Sequence, residues 1–98
     1  MEKVTDRFLR YVQIDTQSDE EGTGTPTTEK QHELARLLVE ELTKMGAEEI
    51  TYDKEHCYVY ASIPATEGME KKPVMGFISH MDTSPAVSGA NVRPRIIT

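Results

Sequence analysis

Val74-Met75-Gly76-Phe77-Ile78-Ser79-His80-Met81-Asp82 is the stretch that decides the reading of this chain. Its first five residues form an apolar run of the kind found in strands buried on both faces. Its last four bring polar groups to the carboxyl end of that run. In open α/β sheets this is where sites form, because the strand ends open into a crevice between loops. His80 and Asp82 stand two apart, so in an extended chain their side chains leave the backbone on the same side. The imidazole is then able to bind a metal while the carboxylate accepts the other ring N–H, which fixes the tautomer and raises ligand basicity. The same spacing suits a polar pair at a strand end facing water, and spacing alone does not choose between the two.

Outward from this stretch, the preceding chain alternates between helical and extended periods. Val4, Phe8, Tyr11 and Val12 recur at three- and four-residue steps and predict a short amphipathic helix ending near Ile14. Residues 15–27 contain no apolar side chain, and Gly22, Gly24 and Pro26 forbid a continuous helix, so an exposed loop is expected. Leu34, Leu37, Leu38, Leu42 and Met45 share one face of a second helix, expected over 28–45. Thr28 with Gln31 fits a capping box at its start, and Gly46 supplies a residue able to take positive φ at its end. Ile50 to Tyr52 and Cys57 to Ile63 are β-prone around a polar turn and predict two antiparallel strands, the second stopped by Pro64. Cys57, Val59, Ala61 and Ile63 would share one face of that strand. With the 74–78 run, this makes an α/β chain of two helices and about three strands of a mixed sheet.

Composition narrows the function classes. Among 98 residues, 11 Lys+Arg stand against 17 Asp+Glu, a net charge of −6, which opposes phosphate-backbone binding and excludes nucleic acid as an expected partner. The apolar runs are far short of the roughly 20 residues that span a bilayer, and the N-terminal MEKVTDRFLR has no apolar signal core, so no membrane association and a cytoplasmic location are expected. One cysteine, Cys57, forms neither an internal disulfide nor a cysteine-based zinc site, and with no base predicted beside it Cys57 reads as a buried small hydrophobe. His32 reads as a solvated helix residue, and His56 as a polar turn residue. Ser79 and Ser84 lie outside any G-x-S-x-G elbow. Gly22-Thr23-Gly24 lacks the strand that a phosphate-binding fingerprint requires, and Asp19-Glu20-Glu21 reads as a solvated loop.

Three segments in order, Phe8 to Ser18 (FLRYVQIDTQS), Pro26-Thr27-Thr28 opening a helix, and Val74 to Pro85 (VMGFISHMDTSP), resemble the N-terminal part of the peptidase T family. These are tripeptide aminopeptidases of the two-zinc exopeptidase group, which also includes glutamate carboxypeptidase and aminoacylase. The resemblance runs through essentially the whole chain. It implies that His80 is a ligand of one of two zincs and that Asp82 stands behind it as a catalytic residue. The family's bridging Asp, its Glu–Glu pair, a further carboxylate and a distant His have no counterpart here. The resemblance therefore implies that residues 1–98 are an N-terminal fragment of the catalytic domain, with no second domain and an incomplete fold. It implies zinc-dependent removal of the N-terminal residue from tripeptides in the full-length enzyme, the fragment being inactive alone because a catalytic zinc needs about three protein ligands. Expected partners are short peptides, the remainder of the enzyme chain and a second copy in a homodimer. A dipeptidase, carboxypeptidase or N-acyl amino acid deacylase of the same group is the nearest alternative. A non-catalytic binding or structural domain with an incidental H-x-D is the alternative from another class. Against the latter, a strand as apolar as 74–78 needs cover on two faces, and two helices of this size barely supply both.

Overall fold

The computed structural model describes residues 2–98. Its elements run α1 (Val4–Tyr11), α2 (Gln31–Met45), β1 (Glu48–Asp53) and β2 (Tyr58–Ser62). Helix α1 is continued to Ile14 by tighter turns, in which the Gln13 and Ile14 amides donate to the Arg10 and Tyr11 carbonyls at 3.3 and 3.0 Å. The helix is tied to α2 through Glu41, a carboxylate only 8% exposed that accepts from the Tyr11 hydroxyl at 2.7 Å and from the Arg10 guanidinium. Burial raises the Tyr11 phenol above its ordinary pKa, and the hydrogen bond to Glu41 adds to the effect.

Helix α2 begins three residues later than its sequence suggests. Thr28 and Gln31 do not form the reciprocal backbone cap. Instead the Gln31 amide donates to the Thr28 hydroxyl at 3.0 Å, and that hydroxyl donates to the Gln17 carbonyl at 2.9 Å. The other end is as expected: Gly46 takes φ +84°, and the amides of Gly46 and Ala47 close onto Thr43 and Leu42. The predicted apolar face is buried at Leu34, half-buried at Leu37, Leu38 and Leu42, and exposed at Met45. Ala35, outside that stripe, is fully buried.

Strands β1 and β2 form one antiparallel pair with Thr51 opposite Tyr60, Tyr52 opposite Val59 and Asp53 opposite Tyr58. A bulge between Glu48 and Thr51 inserts one residue into β1, and Glu49 takes φ +53° there. Asp53 organises the turn: one carboxylate oxygen accepts the Glu55 and His56 amides at 3.1 and 3.2 Å, and the other meets His56 Nδ1 at 2.9 Å. Helix α2 covers one face of the hairpin. Cys57 is buried and Val59 half-buried, and the alternation fades to an exposed Ile63.

Two expectations are corrected. Val74–Ile78 forms no strand and pairs with nothing, so the described residues hold two antiparallel strands and no mixed sheet. Val74 and Ile78 are essentially fully exposed. A strand of that composition is stable only with neighbours on its edges and layers on both faces, and the described residues supply neither. The other correction is His32, which is buried: its Nδ1 hydrogen-bonds the Tyr52 hydroxyl projecting from β1. The buried apolar side chains are accordingly few, Leu34, Ala35 and Cys57. No helix among the described residues is long and apolar enough to cross a membrane.

Candidate metal site

His80 and Asp82 meet as their spacing requires: His80 Nδ1 lies 2.9 Å from an Asp82 carboxylate oxygen. With that carboxylate as acceptor, the ring proton belongs on Nδ1, and Nε2 keeps a free lone pair. The imidazole is well exposed and the carboxylate less so, at 83% and 42% of their side-chain surfaces. The segment that carries them runs between two open grooves. One, of about 670 Å³, is walled by the Pro26 loop, Tyr58 and Tyr60; the other, of about 720 Å³, by Phe8, Tyr11, Leu34 and Val87. His80 lines both.

The segment is pinned just beyond Asp82. The Ser18 amide donates to the Thr83 carbonyl at 2.9 Å and the Thr83 amide to the Thr16 carbonyl at 3.0 Å, a single parallel bridge between Gln17 and Thr83. The Ser18 hydroxyl adds a second bond to the same carbonyl. The loop that looked exposed is therefore partly structural: Thr16 is 2% exposed, and Asp15 accepts the Gln17 amide and the Lys30 ammonium, each at 3.0 Å. The Gln17 amide, then Lys30, hold the Asp15 carboxyl below its ordinary range. Sequence reading missed this loop because it takes polarity for exposure. The one local signal was Asp15 two residues before Gln17, the spacing of an Asx turn; the partner 65 residues further on gives none.

The other candidates do not join the pair. His56 sits on Asp53, whose side chain raises its pKa. His32 is committed to Tyr52. Cys57 is buried, and desolvation raises its thiol pKa, which is the reverse of what a nucleophile needs. Among the described residues no three His, Cys, Asp or Glu side chains gather as a metal-holding group. As donors, His80 and Asp82 suit one ligand with its orienting carboxylate, and they fall short of a complete zinc shell.

No family model matches the chain. Its curated relatives place the similarity within the peptidases. Within that class the match is to peptidase T, to which the chain is similar along nearly its whole length, as the sequence resemblance implied. Peptidase T of Parabacteroides distasonis is 55% identical over 95 residues, covering 97% of this chain and 23% of that protein. Peptidase T of Alkaliphilus oremlandii is 48% identical over 98 residues, 99% of this chain and 24% of that protein. Peptidase T of Geobacillus thermodenitrificans is 48% identical over 96 residues, 98% and 23% respectively. The chain thus spans about a quarter of the length of the relatives it matches.

Proposed function

We propose that this chain contributes one zinc ligand, His80, and its orienting carboxylate, Asp82, to the catalytic domain of a peptidase T-like aminopeptidase acting on tripeptides. The observation that carries the reading is the 2.9 Å contact between His80 Nδ1 and Asp82, which leaves Nε2, on a side chain that lines two grooves, without a partner among the described residues. Asp82 holds the proton on Nδ1 and fixes the ring plane, so that His80 presents a neutral nitrogen of set direction. Zinc held there would polarise a scissile carbonyl and lower the pKa of a bound water. The remaining ligands and the general base come from the rest of the enzyme chain. Residues 1–98 are in this reading an N-terminal part of one catalytic domain, inactive alone, within a cytoplasmic enzyme that forms a homodimer.

The reading is tested in the full-length protein by zinc affinity and by hydrolysis of a tripeptide with a free or an acylated N-terminus. Asp82→Ala is expected to weaken metal binding or turnover about 10–100-fold, with His80→Ala at least as severe. Preference for the free N-terminus separates an aminopeptidase from a deacylase. Unchanged zinc affinity and turnover in both variants would sink the assignment. In the 98-residue chain, calorimetry should find weak zinc binding or none, and tight binding lost with His80→Ala would show that the chain builds a site by itself.

A further inference from the structure

Gln17 has no part in the chemistry proposed above, yet its contacts converge on the segment that carries it. Its backbone lies at the centre of the parallel bridge to Thr83. Its side-chain amide nitrogen donates to the carbonyls of Pro85 and Val87, both at 3.0 Å. A primary amide has two N–H groups, so one side chain satisfies two carbonyls of a stretch with no regular strand or helix. Gln17 is itself held on both sides: Asp15 accepts its amide at 3.0 Å, and the Thr28 hydroxyl donates to its carbonyl at 2.9 Å. The base of this clamp is α2, because Thr28 also accepts from Gln31.

Register is what such a clamp decides. Thr83 directly follows Asp82, and the 2.9 Å contact sets His80 and Asp82 on one side of the chain, so a slip of one residue against the 15–18 loop would turn both toward the other side. A lone bridge specifies register weakly. Two further bonds from the same residue, to carbonyls at 85 and 87, favour the alignment seen.

We propose that Gln17 is a positioning residue of the His80 site, setting through Thr83, Pro85 and Val87 the alignment in which the imidazole faces the metal. This rests on the reading of His80 as a zinc ligand. The test uses the full-length protein with Gln17→Met, which keeps length and removes the donors, and Gln17→Glu, which keeps shape and leaves only acceptors. Zinc affinity is measured by chelator competition, alone and with His80→Ala, beside amide hydrogen exchange at Thr83. Either variant should raise the zinc Kd about tenfold, the low end for groups that orient a ligand. Exchange at Thr83 should quicken about fivefold or more, and zinc affinity should change no further in the His80→Ala background. Faster exchange at Thr83 with an unchanged Kd, or an equal loss of affinity in both backgrounds, overturns the positioning role and leaves the zinc-ligand reading standing. A wild-type Kd in His80→Ala alone removes the zinc-ligand reading and this role together.

Discussion

At the scale of the residue, Gly22 shows how tightly the polar loop is drawn. A Cβ there would stand 2.9 Å from the Thr27 Cβ and 3.1 Å from the carbonyl oxygens of Asp19 and Thr27. Two of those three neighbours are backbone and have little room to give, so Gly22→Ala should cost about 1–3 kcal/mol, read from the midpoint of a denaturant titration. Unaltered stability would mean that the loop does not hold this closed form in solution. The contact of His80 with Asp82 was legible at this scale because a spacing of two is a purely local property. Gln17 was not, since its side-chain partners lie 68 and 70 residues away. His32 was misread for a related reason: nothing nearby in sequence announces that Tyr52 closes over it.

At the scale of the element, the two helices are joined by a buried carboxylate more than by apolar packing. Glu41→Ala leaves the Tyr11 hydroxyl without its acceptor and the Arg10 guanidinium with Glu2 alone, and should destabilise by about 1–3 kcal/mol. Tyr11→Phe should cost less, since it removes one bond and leaves Arg10 paired. A chemical melt of the three proteins gives the order. The hairpin turn carries a pH signature. The Asp53 carboxylate raises His56 above its ordinary 6.5, and His56 holds Asp53 below its ordinary 3.8. The raised histidine contributes stability that is complete below about 6.5 and is lost as pH climbs through its folded pKa. The depressed aspartate contributes stability that is complete above about 3.8 and is lost as pH falls through its own. Amide protection at Glu55 and His56 should therefore be greatest between these values, and His56→Ala should flatten the upper limb. Protection that keeps rising above pH 7 after correction for intrinsic exchange would contradict the pairing. Helices and hairpin were legible because period and the Gly46 stop are local; the start of α2, where Thr28 bonds Gln17 instead of capping, and the bulge at Glu49, a backbone choice that no side chain there dictates, were not.

At the scale of the molecule, the dominant fact is apolar surface without cover. Val74, Phe77 and Ile78 are exposed to 90% or beyond, on a segment outside any helix or strand whose backbone groups are also free of strand partners. Unpaired edges of this kind recruit other chains. The 98-residue chain should therefore associate as its concentration rises, and Phe77→Lys should suppress this in sedimentation velocity. A chain that stays monomeric at high concentration would show that the segment finds cover within these residues. The apolar run itself was plain in the sequence. Whether it becomes a strand depends on neighbours that the sequence of the run does not contain. The parallel bridge between Gln17 and Thr83 has a consequence in time as well as in space. Its Ser18–Thr83 bond spans 65 residues, at an entropic cost of about 4 kcal/mol, whereas α1, α2 and the hairpin are assembled from neighbours. As the chain is synthesised, the helices and hairpin are therefore free to form while the 15–18 loop still lacks its partner, so within these 98 residues the alignment of His80 follows the local elements.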